Sequence, residues 1–246
     1  MKTCGIIGGM GPEATALFYL KLIRLFQNRQ NVQAYPPVVI YSVPEPFQIA
    51  NSLSRPGEYT LQELVLGGLK AIQDKVDFCV IPCNTAHIHI NSFRSAARVP
   101  ILSIIEETCR QLASHNIKRI GLLATTTTIE ACLYQREFAA NSIESILPAA
   151  SRQKAVAQII GRIILGKSGA ADKLALLKEV ESLHAAGAEY ALLACTELPL
   201  LLAQGDTACP LIDTMDILAE ASLRYILAEN CASARPAVKK HCFLAY

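Results

Sequence analysis

Two cysteines stand in matching surroundings in the two halves of this 246-residue chain. Cys83 lies in Ile81-Pro82-Cys83-Asn84-Thr85-Ala86-His87, and Cys195 in Leu193-Ala194-Cys195-Thr196-Glu197-Leu198. Each follows a short apolar run of strand type and precedes small polar residues that can open a helix. The amides and dipole of a helix N-terminus favour a thiolate, and Asn84, Thr85 and Thr196 add donors suited to a carboxylate. A thiolate and a thiol presented to opposite sides of one carbon are the base and acid needed to invert it. Glu197 could hydrogen-bond Cys195 and tune its protonation, the alternative being a solvated first-turn carboxylate.

A second motif, Gly8-Gly9-Met10-Gly11-Pro12, follows the first apolar run. Gly9-x-Gly11-x-x-Ala14 formally meets a dinucleotide fingerprint, but the segment about 20 residues on offers no acidic group for a ribose. Pro12 also removes an amide that would cradle a pyrophosphate. No cofactor is therefore expected. Met10 and Gly11 are placed instead for close approach to a small anionic substrate, with a tight strand–helix turn as the plainer alternative. Thr125-Thr126-Thr127-Thr128 occupies the corresponding place in the second half, where hydroxyls either bind a carboxylate or cap a helix. Cys79-x3-Cys83-x3-His87 carries the residue types of a zinc site. It lacks a close Cys-x-x-Cys pair, and Val80-Ile81-Pro82 is strand-like, so no metal is expected. Cys79, Cys109 and Cys132 are expected to be buried, inert thiols.

These residues need a scaffold, and the alternation of short β-branched runs with longer helical stretches implies βαβ units on parallel sheets. Strands are expected at 3–8, 37–43, 78–82, 101–103, 119–124, 143–147, 190–194 and 211–213. Helices are expected at 12–28, 58–75, 85–97, 106–115, 129–140, 152–165, 170–186, 197–203 and 215–228. Pro12 suits a first helical turn, and Thr60 with Glu63 can form a capping box. Three landmarks recur in order, at offsets of 116, 112 and 110 residues: Gly5-Ile6-Ile7-Gly8 with Gly121-Leu122-Leu123-Ala124, Cys83 with Cys195, and Pro100-Ile101-Leu102-Ser103 with Pro210-Leu211-Ile212-Asp213. The order indicates duplicated halves. Ligands of open parallel sheets bind beyond the carboxyl ends of the strands, where both cysteines and the threonine run fall.

Composition narrows the class. A chain that is 52% hydrophobic and 18% charged, with a net charge of +2, suits a soluble globular enzyme. The length fits one large domain or two of about 120 residues. The near-neutral balance gives no electrostatic case for nucleic acid or a membrane surface. The N-terminal apolar run is too short for a signal peptide. Arg162, Glu197 and Gln204 break the other apolar stretches below the roughly 18 residues of a membrane span. Nine scattered cysteines suit reduced thiols in a cytoplasm.

Taken together, the glycine turn through Thr15, Pro82-Cys83-Asn84-Thr85-Ala86-His87, Ile105-Glu106-Glu107-Thr108, Leu123-Ala124-Thr125-Thr126, Cys195-Thr196-Glu197 and Pro210-Leu211-Ile212-Asp213 resemble the aspartate/glutamate racemase family. The match is to its cofactor-independent aspartate racemase branch. The resemblance implies two Rossmann-like parallel-sheet halves, 1–100 with about 213–246 and 101–212. They would be related by a pseudo-twofold axis, with an active site in the cleft between them and a homodimer as the assembly. It implies that Cys83 and Cys195 act as a thiolate/thiol pair, one removing the α-hydrogen of an amino acid and the other returning a proton on the opposite face. Asn84, Thr85, Thr125, Thr128 and Thr196 map to carboxylate contacts, with Met10 and Gly11 lining the cleft and Glu197 beside the second cysteine.

One departure concerns the family's two distal-carboxylate cations. Gln48 stands at the first position and the stretch 163–165 at the second, with Arg162 and Lys167 nearby. A buried side-chain carboxylate without such cations is poorly compensated. An amino-acid racemase is therefore implied, its substrate being aspartate, glutamate or a related amino acid. The alternatives are a hydantoin racemase, maleate isomerase or malonate decarboxylase activity, or a non-catalytic amino-acid-binding module.

Overall fold

The computed structural model describes residues 1–31, 34–44 and 60–228. They divide into two units, Met1–Glu107 with the chain from Met215, and Thr108–Thr214.

The first unit holds β1 (Cys4–Gly8), α1 (Pro12–Gln30), β2 (Val38–Ser42), α2 (Leu61–Ile72), β3 (Phe78–Val80), α3 (Ile90–Ala96), β4 (Ile101–Leu102) and the start of α4 (Ile104–Ser114). Its four strands are all parallel in the order β2-β1-β3-β4. Continuous apolar strands suit a sheet covered on both faces, and Ile6, Ile7, Phe78 and Val80 are fully buried. Helix α1 starts on Pro12 and buries Ala14, Phe18, Leu22 and Phe26, a four-residue spacing that lays one stripe on the sheet. The expected capping box opens α2: the Glu63 N–H donates to Thr60 Oγ1 at 3.2 Å, and the Thr60 N–H donates to Glu63 Oε2 at 2.7 Å.

The second unit holds β5 (Arg119–Ala124), α5 (Thr126–Glu130), α6 (Leu133–Ala140), β6 (Glu144–Ile146), α7 (Ala150–Ile164), α8 (Ala170–Ala185), β7 (Tyr190–Ala194) and β8 (Leu211–Asp213), and the chain leaves it at the start of α9 (Thr214–Ile226). Its sheet is again parallel, in the order β6-β5-β7-β8. The strand order repeats element for element. Its core joins α7 and α8 to β7 through Val156, Ile160, Leu176, Val180 and Leu193. Fully buried Tyr134 on α6 hydrogen-bonds the side chains of Thr108 and Thr214, the first and last residues of the unit.

Several boundaries differ from expectation. Strand β4 pairs with β3, so 101–107 belongs with the first unit and the exchange falls at Glu107–Thr108. The expected helix at 129–140 is two helices, because Thr125 caps α5 early and Cys132 breaks the run with a left-handed backbone (φ 52°). Only the stretch Leu198–Leu200 of the expected 197–203 helix is helical, as one 3-10 turn. The expected 85–97 helix is a 3-10 turn, Thr85–His89, followed by α3. No described helix is long and apolar enough to cross a membrane.

Candidate active site

In the first unit the candidate residues leave the carboxyl ends of the neighbouring strands β1 and β3. After β1 the chain turns on Gly9, whose φ of +96° and approach to the Val43 carbonyl oxygen, 2.4 Å from where a Cβ would sit, admit only glycine. The Gly9 N–H donates to Thr15 Oγ1 at 2.9 Å, and that hydroxyl donates to the Gly11 carbonyl at 3.0 Å. Thr15 in α1 thus fixes the loop carrying Met10 and Gly11 and takes up the Gly9 amide.

Cys83 follows three residues beyond β3, at a turn in which its N–H donates to the Ile81 carbonyl at 2.8 Å. Asn84 beside it is buried and Thr85 half-buried. A 3-10 turn follows the thiol, so Cys83 does not stand at the start of a long α-helix, and the dipole there is that of one short turn.

His87 is buried against the Cys83 main chain. Its Nε2 accepts the Ile104 N–H at 3.3 Å, which leaves Nδ1 as the protonated nitrogen donating to the Cys83 carbonyl at 2.9 Å. Burial lowers its pKa to about 4, against the raising effect of the Cys83 carbonyl, and the ring is neutral near pH 7. Cys79 packs elsewhere: a Cβ on Gly5 would meet its Sγ at 2.9 Å, and burial pushes its thiol up to about 12. Among the described residues no group of His, Cys, Asp and Glu could hold a metal ion.

In the second unit the corresponding loops leave β5 and β7, again neighbours. Thr125 Oγ1 accepts the Thr128 N–H at 3.1 Å and donates to Thr128 Oγ1 at 2.9 Å, capping α5. From α7, Gln153 Nε2 donates to the Ala124 carbonyl at 3.0 Å and steadies the end of β5. Cys195 follows β7 directly. Its Sγ–H donates to Glu197 Oε2 at 3.0 Å, and Thr196 Oγ1 donates to the same oxygen at 3.2 Å. Glu197 is only 4% exposed, so it is a buried partner of the thiol rather than a solvated carboxylate. Beyond it Pro199 sits in the first turn of the short 3-10 segment.

The remaining candidates fall as follows. Gln48 lies outside the described residues. Arg162 grips Asp172 with two nitrogens, Nη2 at 2.5 Å and Nε at 3.1 Å from Oδ1, across the α7–α8 turn. Cys109 is buried as expected, whereas Cys132 is only half-buried, because it occupies the break between α5 and α6. Thr15 and His87 are organising residues that carry no sequence signature of their own. The i+4 spacing from Gly11 to Thr15 and from Cys83 to His87 is the signal that marks both.

The comparisons with known proteins cover the same elements. Residues 7–222 match the Asp/Glu/Hydantoin racemase family, a span that runs from the end of β1 into α9 and includes both cysteine loops. The chain is 31% identical over 227 residues to the broad specificity amino-acid racemase RacX of Bacillus subtilis (strain 168), covering 91% of this chain and 98% of that protein. Among solved structures it is similar to an aspartate racemase homologue from Pyrococcus horikoshii OT3, with a TM-score of 0.75, 25% identity and coverage of 92% of this chain and 100% of that one. Picrophilus torridus aspartate racemase gives a TM-score of 0.75 and 25% identity, over 92% and 94% of the two chains. The strand order, the paired cysteine loops and a match across most of the sequence lead to one conclusion: the chain belongs to the Asp/Glu/Hydantoin racemase family.

Proposed function

We propose that the protein is a cofactor-independent amino-acid racemase in which Cys83 and Cys195 exchange protons with the two faces of Cα. The observation that carries the reading is the repetition itself: topologically equivalent strands β3 and β7 each deliver a thiol followed by buried polar groups, and one thiol already donates to a buried carboxylate. In one direction the Cys83 thiolate takes the α-hydrogen as a proton, and the bonding electron pair spreads into the substrate carboxylate. The Cys195 S–H then gives its proton to the opposite face of the same carbon and becomes the thiolate. The reverse reaction starts from that second protonation state, and the titrations of the two thiols are coupled.

The α-hydrogen of an amino acid is a very weak acid, so donors must stabilise the charge that develops on the carboxylate. Asn84 and Thr85 supply them in this scheme, with Thr196 bracing Glu197 and Thr125 and Thr128 fixing the second loop. Glu197 holds the Cys195 S–H in a set direction until the proton is delivered. We assign a substrate range of more than one amino acid. Two observations support it: RacX is named for broad specificity, and Arg162, the nearest cation in sequence to the second distal-carboxylate position, is engaged with Asp172. A screen of L- and D-amino acids in deuterium oxide tests the reading. Deuterium should enter Cα of several amino acids, with chiral chromatography showing both enantiomers; absence of exchange from all of them would refute it.

A further inference from the structure

We infer that His87 is a positioning residue for Cys83, holding the backbone of the thiol's turn against the N-terminus of α4. The inference rests on the racemase reading of Cys83. His87 carries no assigned role in the chemistry and forms no metal site, yet it is a fully enclosed imidazole with both nitrogens committed. Nδ1–H holds the carbonyl of the cysteine itself, and Nε2 receives an N–H from the first residue of α4. That helix start is itself fixed: Ser103 Oγ accepts the Glu106 N–H at 3.3 Å, and the Arg94 guanidinium clasps both Glu106 oxygens at 2.6 and 2.7 Å. The ring therefore bridges a short 3-10 turn to a braced helix terminus.

The corresponding position of the second half carries no imidazole. The residue 112 positions on, the offset that relates the cysteines, is Pro199, which has no side-chain donor or acceptor. There the sulfur is held directly, through Glu197. The two repeats thus differ in the side chain that braces the turn, an imidazole on the Cys83 carbonyl and a carboxylate on Cys195 Sγ.

A change at His87 should accordingly slow only the proton transfers made by Cys83. Displacement of a reacting group by about 1 Å can cost on the order of 100-fold, so His87→Ala should lower kcat/KM by roughly 10- to 100-fold. His87→Asn keeps a donor where Nδ1 stood and should remain within severalfold of wild type. His87→Gln keeps an acceptor where Nε2 stood but loses the donor, and should fall with His87→Ala.

The decisive readout uses both enantiomers, deuterated at Cα, of whichever common amino acid the wild-type protein racemises fastest. In His87→Gln the substrate isotope effect on kcat/KM should rise for the enantiomer whose hydrogen goes to Cys83. It should fall for the mirror enantiomer, because reprotonation by Cys83 then limits the rate. A variant that is merely less stable lowers the amount of active protein and leaves both isotope effects unchanged. Unsplit isotope effects, or His87→Asn no better than His87→Gln, would overturn the inference.

Should the wild-type protein exchange no Cα hydrogen, the racemase reading fails, and alkylation by iodoacetamide still decides the tie. Faster labelling of Cys83 but not Cys195 in His87→Ala supports it, and equal labelling of Cys83 in variant and wild type overturns it.

Discussion

At the level of single residues, a buried carboxylate oxygen of Glu197 accepts from both Cys195 and Thr196, and the proposed mechanism depends on that contact. Glu197→Gln retains the shape while removing the charge. A hydrogen bond to a charged group contributes about 1.5–3 kcal/mol, so racemisation by this variant should fall roughly 10- to 100-fold. Unchanged racemisation would show that orientation of Cys195 by Glu197 does not matter to the reaction.

His87 makes a separate prediction about pH. Its pKa is lowered to about 4 from an ordinary 6.5, first by burial, with Arg94 lowering and the Cys83 carbonyl and Glu106 raising it. The unfolded chain takes up this proton as the pH falls below 6.5 while the folded protein does not. Stability should therefore be lost progressively between pH 6.5 and about 4, by about 3 kcal/mol in all. Denaturant unfolding of wild type and His87→Asn across that range checks it: the difference between them should shrink as the pH falls, and a constant difference would contradict it. The two cysteine loops and the Cys195–Glu197 contact were legible in the sequence because residue type and spacing point to them. His87 reads in the sequence as a metal-ligand type, because its actual partners are a main-chain carbonyl and a main-chain N–H, which only the i+4 spacing from Cys83 marks.

Among the elements, the strands were the most legible. β5, β7 and β8 begin and end where the apolar runs do. The segments next to the thiols were least legible, because polar residues after a strand fit an α-helix, a 3-10 turn or a bare loop equally well, and Pro199 and the packing around His87 decide between them. The Thr125–Thr128 run turns out to cap α5 with the same hydroxyls that suit a ligand. The glycine turn after β1 depends on a residue outside the glycines. Thr15→Val preserves volume but strands the Gly9 N–H, which should cost about 1–3 kcal/mol and lower the melting temperature; a melt identical to wild type would show that the hydroxyl does not organise the turn. Gly9→Ala should be worse, since φ of +96° and the Val43 carbonyl both oppose a side chain.

For the molecule as a whole, the three recurring landmarks already implied what the repeated order β2-β1-β3-β4 and β6-β5-β7-β8 shows. The sequence misplaced the point of exchange by a few residues, because the pairing of the two-residue strand β4 with β3 is a long-range choice that periodicity does not encode. In the proposed mechanism duplication matters directly, for each repeat would contribute one thiol, one for each face of the carbon. The central test is racemisation by Cys83→Ser and Cys195→Ser, followed by chiral chromatography from each pure enantiomer in deuterium oxide. The two-thiol account predicts that each single variant loses racemisation in both directions, at unchanged thermal stability. Full racemisation by either variant would contradict it.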